Sequence, residues 1–448
     1  MNSQIKFINL RKIVTIVLGG SLLLLITLLA YKGRAFAEDK LQVLSSIIEV
    51  QNPTVSSEKL SWTYSEKLDE ARKILAKTTP TVGTQEYTFS ESRFLMSNGQ
   101  LKMIQREFKE PELDIPLAVM EKATGKIRVV TITMKNGSII SPTDFPVNIE
   151  FRSNGIGWNW WNTQYQIPKG YVVLMNNYPV VDYVNISKKV TDKRGRKRTV
   201  VEKQPYLANS FLYAPYSKSL HMPELVEAGR AYIQQNVRQA FTELRLRGAK
   251  SRAFPGKLVA DVTELHPKYF ERLPIVEQSD MTEFILNPQR TSERVLVLLG
   301  ANKEQTFTQT KSKAGATGWM QFTPGTYSGM RRLYPEAQLI ADFATGAPNH
   351  LNSMMAAILL HDNSLKGLMD DFGPSIAQDQ ALEEYLAAAY NGAPKYAHRS
   401  ITAFLTLGLS DWIESRHLKN ETKGYMIKIR ELKRLGFLSS STQTKPAL

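Results

Sequence analysis

Glu304 is the residue whose sequence surroundings best suit proton transfer. It follows the apolar stretch Thr291–Leu299, whose spacing predicts a helix that would place the carboxyl group at or just beyond its C-terminal end. Apolar residues come after it, among them Phe307, Trp319 and Met320. A carboxyl group lodged beside such residues is poorly solvated when charged, so its pKa should rise toward the range that a general acid needs near neutral pH. These features alone do not separate a catalytic carboxyl from a solvated charge at a helix end.

Other kinds of chemistry are excluded by residues that the chain lacks. The sequence contains no cysteine, which excludes disulfides, a thiol nucleophile, thiolate metal sites and a lipid-modified N-terminal cysteine. None of its six histidines forms an H-x-x-x-H pair, so we expect no metal site. No second Asp or Glu occurs between Lys303 and Leu333, whereas hydrolytic glycosidases normally use two carboxyl groups.

Four sequence elements follow one another from Glu304 to the end of the last predicted helix. They are Glu304-Gln-Thr-Phe307, Ser312-Lys-Ala-Gly-Ala-Thr-Gly-Trp-Met-Gln321, Ala388-Ala-Tyr-Asn-Gly392 and Glu421-Thr-Lys-Gly-Tyr-Met-Ile-Lys-Ile429. In this order they resemble the E-S-x-F, S-x-x-G-A-x-G-L-M-Q, A-Y-N-x-G and E-T-x-x-Y-x-x-K-I elements of the soluble-lytic-transglycosylase (SLT), lysozyme-like family. The resemblance covers residues 290–435 at most and is silent about residues 40–250.

This resemblance implies an all-α, lysozyme-like domain that cuts the β-1,4 bond between N-acetylmuramic acid and N-acetylglucosamine in peptidoglycan. It implies that Glu304 protonates the bridging oxygen and then withdraws the proton of the muramyl C6 hydroxyl, giving a 1,6-anhydro product without water. A single carboxyl group suffices for that reaction, and no metal or organic cofactor is implied. The residues that would bind and orient the sugars are Gln305, Met320, Gln321, Tyr390, Asn391 and Tyr425.

Two departures from the family pattern keep other functions open. Gln305 stands where serine is usual, and the interval from Glu304 to Ser312 is one residue shorter than the common pattern. A hydrolytic muramidase and a catalytically inactive wall-binding or scaffold protein of an envelope-spanning machine are therefore alternatives. Met320 and Tyr425 are equally well explained as core residues, and Asn391 with the following glycine as a helix C-cap.

The N-terminus predicts export from the cytoplasm. An uncharged run, Ile13–Tyr31, follows three basic residues and would span roughly 28 Å as a helix, close to the hydrocarbon core of a bilayer. We expect residues 1–37 to be a signal-anchor or transmembrane segment in the inner membrane of a bacterial cell envelope, with the rest of the chain in the periplasm or its equivalent. Secretion after cleavage near Ala37 stays open, because Ala35-Phe-Ala37 has the small-x-small form of a signal-peptidase site.

The exported part divides into a β-rich region and a helical region, so we predict an α+β protein. Residues 40–250 are expected to form a small β-rich domain of about six strands with flanking helices and no assigned role. A hairpin is predicted at Asn136-Gly137 between alternating apolar residues. Residues 256–438 are expected to form the lysozyme-like domain, with helices in Thr291–Leu299, His350–Asp362, Ile376–Asn391, Tyr396–Leu407 and Thr422–Leu435. The tail, residues 439–448, is expected to be loose.

The predicted partners are peptidoglycan strands, the membrane through the N-terminal helix, and protein partners through residues 40–250. The net charge of +15 is compatible with anionic surfaces, but nucleic acid is not expected outside the cytoplasm. The basic run from Lys188 to Arg198 is best explained as a solvated hairpin tip, with contact to anionic lipid or wall polymer as the alternative. Trp158, Trp160 and Trp161 fit loop packing better than sugar stacking.

Overall fold

The structure is a computed structural model, and it describes residues 62–436 apart from 96–99, 136–137, 151–163, 192–194, 196 and 264–266. The predicted membrane segment, the three tryptophans at 158–161 and the predicted loose tail lie outside the described residues. No helix within the described part of the chain combines the length and apolar character needed to cross a bilayer.

Antiparallel strands dominate the first half of the described chain. The strands are β1 (Thr81–Leu95), β2 (Gln100–Glu121), β3 (Ile127–Lys135), β4 (Ser138–Ile140), β5 (Asn148–Glu150), β6 (Gln164–Gln166), β7 (Tyr171–Thr191) and β8 (Lys197–Tyr213). The main sheet has the order β4-β3-β2-β7-β8, with β1 also paired to β2, while β5 and β6 pair separately. Lys135 pairs with Ser138, which confirms the hairpin predicted around residues 136–137.

Helices make up nearly all of the remaining described chain, so the mixed α and β composition is confirmed. They are α1 (Tyr64–Leu75), α2 (Pro223–Leu246), α3 (Val259–Thr263), α4 (Pro267–Glu277), α5 (Met281–Leu286), α6 (Pro288–Asn302), α7 (Pro324–Leu333), α8 (Phe343–Gly346), α9 (His350–Phe372), α10 (Leu382–Gly392), α11 (Pro394–Leu407) and α12 (Asn420–Arg434). The predicted helix at Ile376–Asn391 was wrong at its start. Residues Pro374–Gln378 form a separate 3-10 helix, and α10 begins only at Leu382.

The helix α2 packs against α6 at a close crossing made possible by two glycines. A Cβ atom added to Gly229 would lie 1.9 Å from the Leu296 carbonyl oxygen, and one added to Gly300 would lie 2.2 Å from the Leu225 carbonyl oxygen. Any larger residue would separate the two backbones. One hydrophobic core joins α1, the main sheet and these helices. The domain boundary predicted near residue 250 therefore falls between helices that pack against each other.

Candidate active site

The carboxyl group that the terminal motif contacts belongs to Glu277, the last residue of α4. The Tyr425 hydroxyl, on α12, donates a hydrogen bond to Glu277 Oε1 at 2.9 Å. Glu277 is partly exposed, while the four residues before it, Leu273-Pro-Ile-Val276, are buried. The terminal motif, on α12, thus carries a tyrosine that is hydrogen-bonded to a carboxyl group outside all four motifs.

The charge state of Glu277 depends on opposing effects. Burial raises its pKa to about 7, and the negative charge of Glu421, one helical turn before Tyr425, also acts to raise it. The Tyr425 hydrogen bond and the positive charge of Lys428 act in the opposite direction. A carboxyl group with a pKa near 7 keeps its proton for part of the time at neutral pH and can still give it up, which is what a general acid that later acts as a base requires.

Two further tyrosines surround the same carboxyl group. The Tyr390 hydroxyl donates to the Met320 carbonyl oxygen at 2.7 Å. Burial and then the Glu277 charge raise the pKa of Tyr390 well above its ordinary value, so its hydroxyl stays protonated. Burial, Glu383 and Glu277 together have the same effect on Tyr269, which lies on the helix that ends at Glu277. The Glu277 charge acts on tyrosines of three helices, which indicates that these helices meet around it.

The Gly-rich motif, Ser312–Gln321, is hydrogen-bonded to Gln278, the residue that follows Glu277. The Gln278 side chain, 2% exposed, donates from Nε2 to the carbonyl oxygens of Gly318 at 3.2 Å and Trp319 at 3.0 Å. The loop has no room to shift at Gly318, because a Cβ atom there would lie 2.4 Å from the Ala347 carbonyl oxygen. The residue after Glu277 therefore fixes the distance between the carboxyl group and the motif.

The other predicted site residues fall into two groups. Tyr425 is hydrogen-bonded to Glu277, Tyr390 lies within reach of the Glu277 charge, and Met320 is hydrogen-bonded to Tyr390. Asn391 joins them indirectly, because its Oδ1 accepts a hydrogen bond from the Thr422 hydroxyl at 2.9 Å. Gln321 has a positive φ of 49° and donates from Nε2 to the Gly318 carbonyl oxygen at 2.7 Å, so its amide braces the loop itself.

Glu304 and Gln305 form the second group, and among the described residues no hydrogen bond or ion pair joins their side chains to the first group. Glu304 is exposed in a short 3-10 helix after α6, and within the described residues its carboxylate has no hydrogen-bond or ion-pair partner. The apolar lodging expected for Glu304 is wrong, because Phe307, Trp319 and Met320 are fully buried in the core instead of packing over the carboxyl group. The charge of Glu304 acts on Tyr232, whose pKa is raised chiefly by burial.

The buried His350 holds the Glu304 segment in place. Its Nε2 lies 2.7 Å from the Thr306 carbonyl oxygen and its Nδ1 lies 2.9 Å from the Tyr232 hydroxyl. Its ring stacks on Trp319 with 4.1 Å between ring centroids. Burial lowers the pKa of His350 to about 4, so the ring is neutral at neutral pH. This network is structural, since its polar atoms are satisfied by one another.

The motif pattern does not point to Glu277, because Glu277 lies far from the Gly-rich motif in the chain. The helices α5 and α6 fill the interval between Glu277 and Ser312 and separate the two in sequence. A signal was nevertheless present: the pair Glu-Gln occurs twice in the chain, at 277–278 and at 304–305, each time after an apolar helical stretch. No protein-family model, no curated protein and no solved structure matches this chain.

Proposed function

We propose that this chain is a peptidoglycan lytic transglycosylase that uses Glu277, in place of Glu304, for proton transfer. The observation that carries the proposal is the hydrogen bond from Tyr425 to Glu277, because it joins the terminal motif of the resemblance to a partly buried carboxyl group whose pKa is about 7. Met320 and Tyr390, from two other motifs, are linked to each other beside it. Three of the four motifs therefore support one carboxyl group, and it is not the one inside the first motif.

In this mechanism Glu277 acts twice. Protonated Glu277 gives its proton to the oxygen between N-acetylmuramic acid and N-acetylglucosamine, and the bond from that oxygen to the muramyl C1 breaks. The resulting carboxylate takes the proton of the muramyl C6 hydroxyl as the C6 oxygen bonds to C1. The products are a 1,6-anhydro-muramyl end and a free N-acetylglucosamine hydroxyl, and the carboxyl group regains its proton without any water being consumed.

The tyrosines around Glu277 support both proton transfers. Tyr425 donates to the carboxyl group in both steps and stabilises the carboxylate that forms in the first. Tyr390 holds the Met320 carbonyl oxygen, which fixes the Gly-rich loop beside the acid where the sugar would lie. Because Gln278, the residue after Glu277, is hydrogen-bonded to that loop, the acid and the loop are held at a fixed distance from each other.

A hydrolytic muramidase is the second candidate, and one observation favours it. Glu421 is exposed on the same face of α12 as Tyr425, and its charge raises the pKa of Glu277. A second carboxylate near the first is what hydrolytic glycosidases use to activate water or to form a covalent intermediate. Hydrolysis is therefore compatible with the residues around Glu277, although no second carboxylate lies next to the Gly-rich motif in sequence.

The cellular setting rests on the sequence alone. We place the enzyme in a bacterial envelope, held at the inner membrane by residues 1–37 or released by cleavage near Ala37. Residues 40–250 would contact protein partners, and the basic run from Lys188 to Arg198 would be a solvated hairpin tip or would contact anionic lipid or wall polymer. A scaffold protein without activity remains the alternative from another class, and it predicts no cleavage by the wild-type chain.

The test is digestion of purified peptidoglycan followed by mass spectrometry of the released fragments. Wild-type protein should yield 1,6-anhydro-muramyl ends, and Glu277→Gln should yield none. Reducing muramyl ends in place of anhydro ends would assign a muramidase. Intact peptidoglycan after treatment with folded, detergent-solubilised wild-type protein would contradict both enzyme assignments and favour the scaffold.

A further inference from the structure

Lys428 is a buried cation that holds the backbone on both sides of Glu277. It is 7% exposed, and its Nζ donates to the Val276 carbonyl oxygen at 3.0 Å and to the Ser279 carbonyl oxygen. Those two carbonyls flank Glu277 and Gln278 at the point where α4 ends. Carbonyl groups at a helix C-terminus have no partner inside the helix, so one side chain satisfies two of them and fixes the course of the chain.

A buried ammonium group carries a large desolvation penalty, so hydrogen bonds to two carbonyl oxygens alone do not explain it. Lysine is seldom fully buried unless it is paired, since removing its charge from water costs several kcal/mol. Burial lowers the pKa of Lys428 to about 8, while the charges of Glu277, Asp280 and Glu421 act to raise it. The ammonium group therefore lies among carboxyl groups, and that of Glu277 is the one that the proposed reaction ionises.

The charged and titratable groups that face Glu277 come from three helices. Tyr269 belongs to α4 itself, and Tyr390 belongs to α10. The others are Glu421, Tyr425 and Lys428 of α12. Lys428 is the only positive charge among the groups that act on Glu277 in the described part of the chain. It is therefore the group that can offset the negative charge that appears when Glu277 gives up its proton.

We infer that Lys428 is a positioning residue for the reaction: it clamps the end of α4 through two carbonyl oxygens and offsets the carboxylate that Glu277 becomes in the first step. This inference rests on the proposed function. Lys428 touches the backbone around the acid and does not need to touch substrate, so it should affect turnover more than substrate binding.

The experiment replaces Lys428 with methionine, which keeps the length of the side chain and removes the ammonium. Lys433→Met on the same helix is the matched control, because Lys433 is exposed and pairs with Glu383. Cleavage should fall as pH rises through the pKa of Glu277, because the acid must begin protonated. In Lys428→Met that fall should move to higher pH, the plateau kcat should drop about 10- to 100-fold, and KM should stay within about threefold.

Two further variants guard against a folding defect. Lys428→Arg keeps the charge and the donors, so it should restore most of kcat and leave the pH of the fall near that of the wild type. Lys428→Gln removes the charge but keeps a donor, so it should shift the fall as methionine does. A folded neutral variant with an unmoved pH profile would overturn the inference, even if its thermal stability had dropped, because helix capping alone would then explain Lys428.

A titration separates this inference from the proposed function. The Glu277 carboxyl can be followed by infrared difference spectroscopy between wild type and Glu277→Gln, with no substrate present. Its pKa should rise in Lys428→Met and stay unchanged in Lys433→Met. A wild-type protein that leaves peptidoglycan intact would contradict the proposed function, and the titration would still support or refute the coupling between Lys428 and Glu277.

Discussion

Glu277 and Glu304 occupy equivalent places in sequence and very different places in the structure. Each follows an apolar helix, and each is followed by glutamine. Around Glu277 the chain assembles a tyrosine hydroxyl, a buried lysine and the Gly-rich motif. Around Glu304 it leaves the carboxylate in solvent. An apolar helix end therefore does not by itself surround a carboxyl group with hydrogen-bonding and charged groups; at Glu277 those groups come from distant parts of the chain.

The region around Glu304 has a different task, which is to join the helices to the sheet. The Asn302 side chain, 0% exposed, accepts a hydrogen bond from Ala214 N at 2.7 Å and donates to Ala214 O at 2.9 Å. Arg72 of α1 donates to the Ala301 carbonyl oxygen at 3.1 Å. These bonds fix the end of α6 against the end of β8 and against α1. The polar atoms at the end of α6 stabilise the fold, and the Glu304 carboxylate beside them takes no part in these bonds.

The largest expected difference between the two regions is in catalysis. Glu277→Gln should lower the rate of peptidoglycan cleavage at least about 1,000-fold, because the amide can neither give nor take the proton. Glu304→Gln should change the rate less than about threefold. Release of soluble glycan fragments under identical conditions measures both. The opposite ranking of the two variants would return the acid to Glu304.

Asn302 should matter for stability where Glu304 does not. Asn302→Ala leaves the buried N–H and C=O of Ala214 without partners, and we expect a loss of about 2–4 kcal/mol in the free energy of unfolding. Gln305→Ala, a few residues later and partly exposed, should cost less than about 0.5 kcal/mol. Thermal unfolding of both variants provides the comparison. Equal losses would mean that the end of α6 is not a joint between helices and sheet.

Removal of the Tyr425 hydroxyl should have a smaller catalytic effect than removal of the carboxyl group. The hydrogen bond from Tyr425 acts to lower the pKa of Glu277, so Tyr425→Phe should move the fall in activity to higher pH and reduce kcat about tenfold. Tyr183→Phe, on the exposed β7 strand, is the control and should leave the profile unchanged. A Tyr425→Phe profile that coincides with the wild-type profile would remove Tyr425 from the site.

The Glu277 carboxyl group should also make stability depend on pH. The folded-state pKa of Glu277 lies at about 7, above that of an unfolded glutamate, so the folded state keeps a proton that the unfolded state loses. Stability from this group is therefore fully present at low pH and is lost as pH rises toward and past 7. Glu277→Gln should gain about 3 kcal/mol relative to wild type on going from pH 4.5 to pH 8. Differential scanning calorimetry of wild type and Glu277→Gln at the two pH values measures this gain, and parallel pH profiles of the two proteins would contradict it.

Local patterns predicted the elements well and the site poorly. The apolar spacing of α9, α11 and α12 located those helices, because each buries one face against the core. The strands β1 and β2 were not predicted over much of their length, since charged residues recur along them, as in Lys109-Glu-Pro-Glu-Leu-Asp114, and the two strands pair with each other. Their register is set by a partner strand, which single-sequence reasoning does not see.

Local sequence patterns did not predict the Glu277 carboxyl group for a related reason. The contact between Tyr425 and Glu277 spans 148 positions of the chain, and no local spacing encodes it. Motif order predicted one site for Met320, Tyr390 and Tyr425, but it gave no sign of Glu277, which lies ahead of the first motif and accepts the Tyr425 hydrogen bond. The glutamine after the acid was the useful clue, because Gln278 reaches the Gly-rich loop directly.

The close crossing of α2 and α6 limits how the chain can be cut into working pieces. A fragment that begins at Pro255 would follow the predicted domain boundary, yet it would strip α2 from the face that Gly300 presents and uncover apolar surface along α6. It would also remove Tyr232 from His350. A fragment that begins ahead of Pro223 keeps both. The helical half can therefore be transplanted between proteins, or expressed by itself, only with α2 attached.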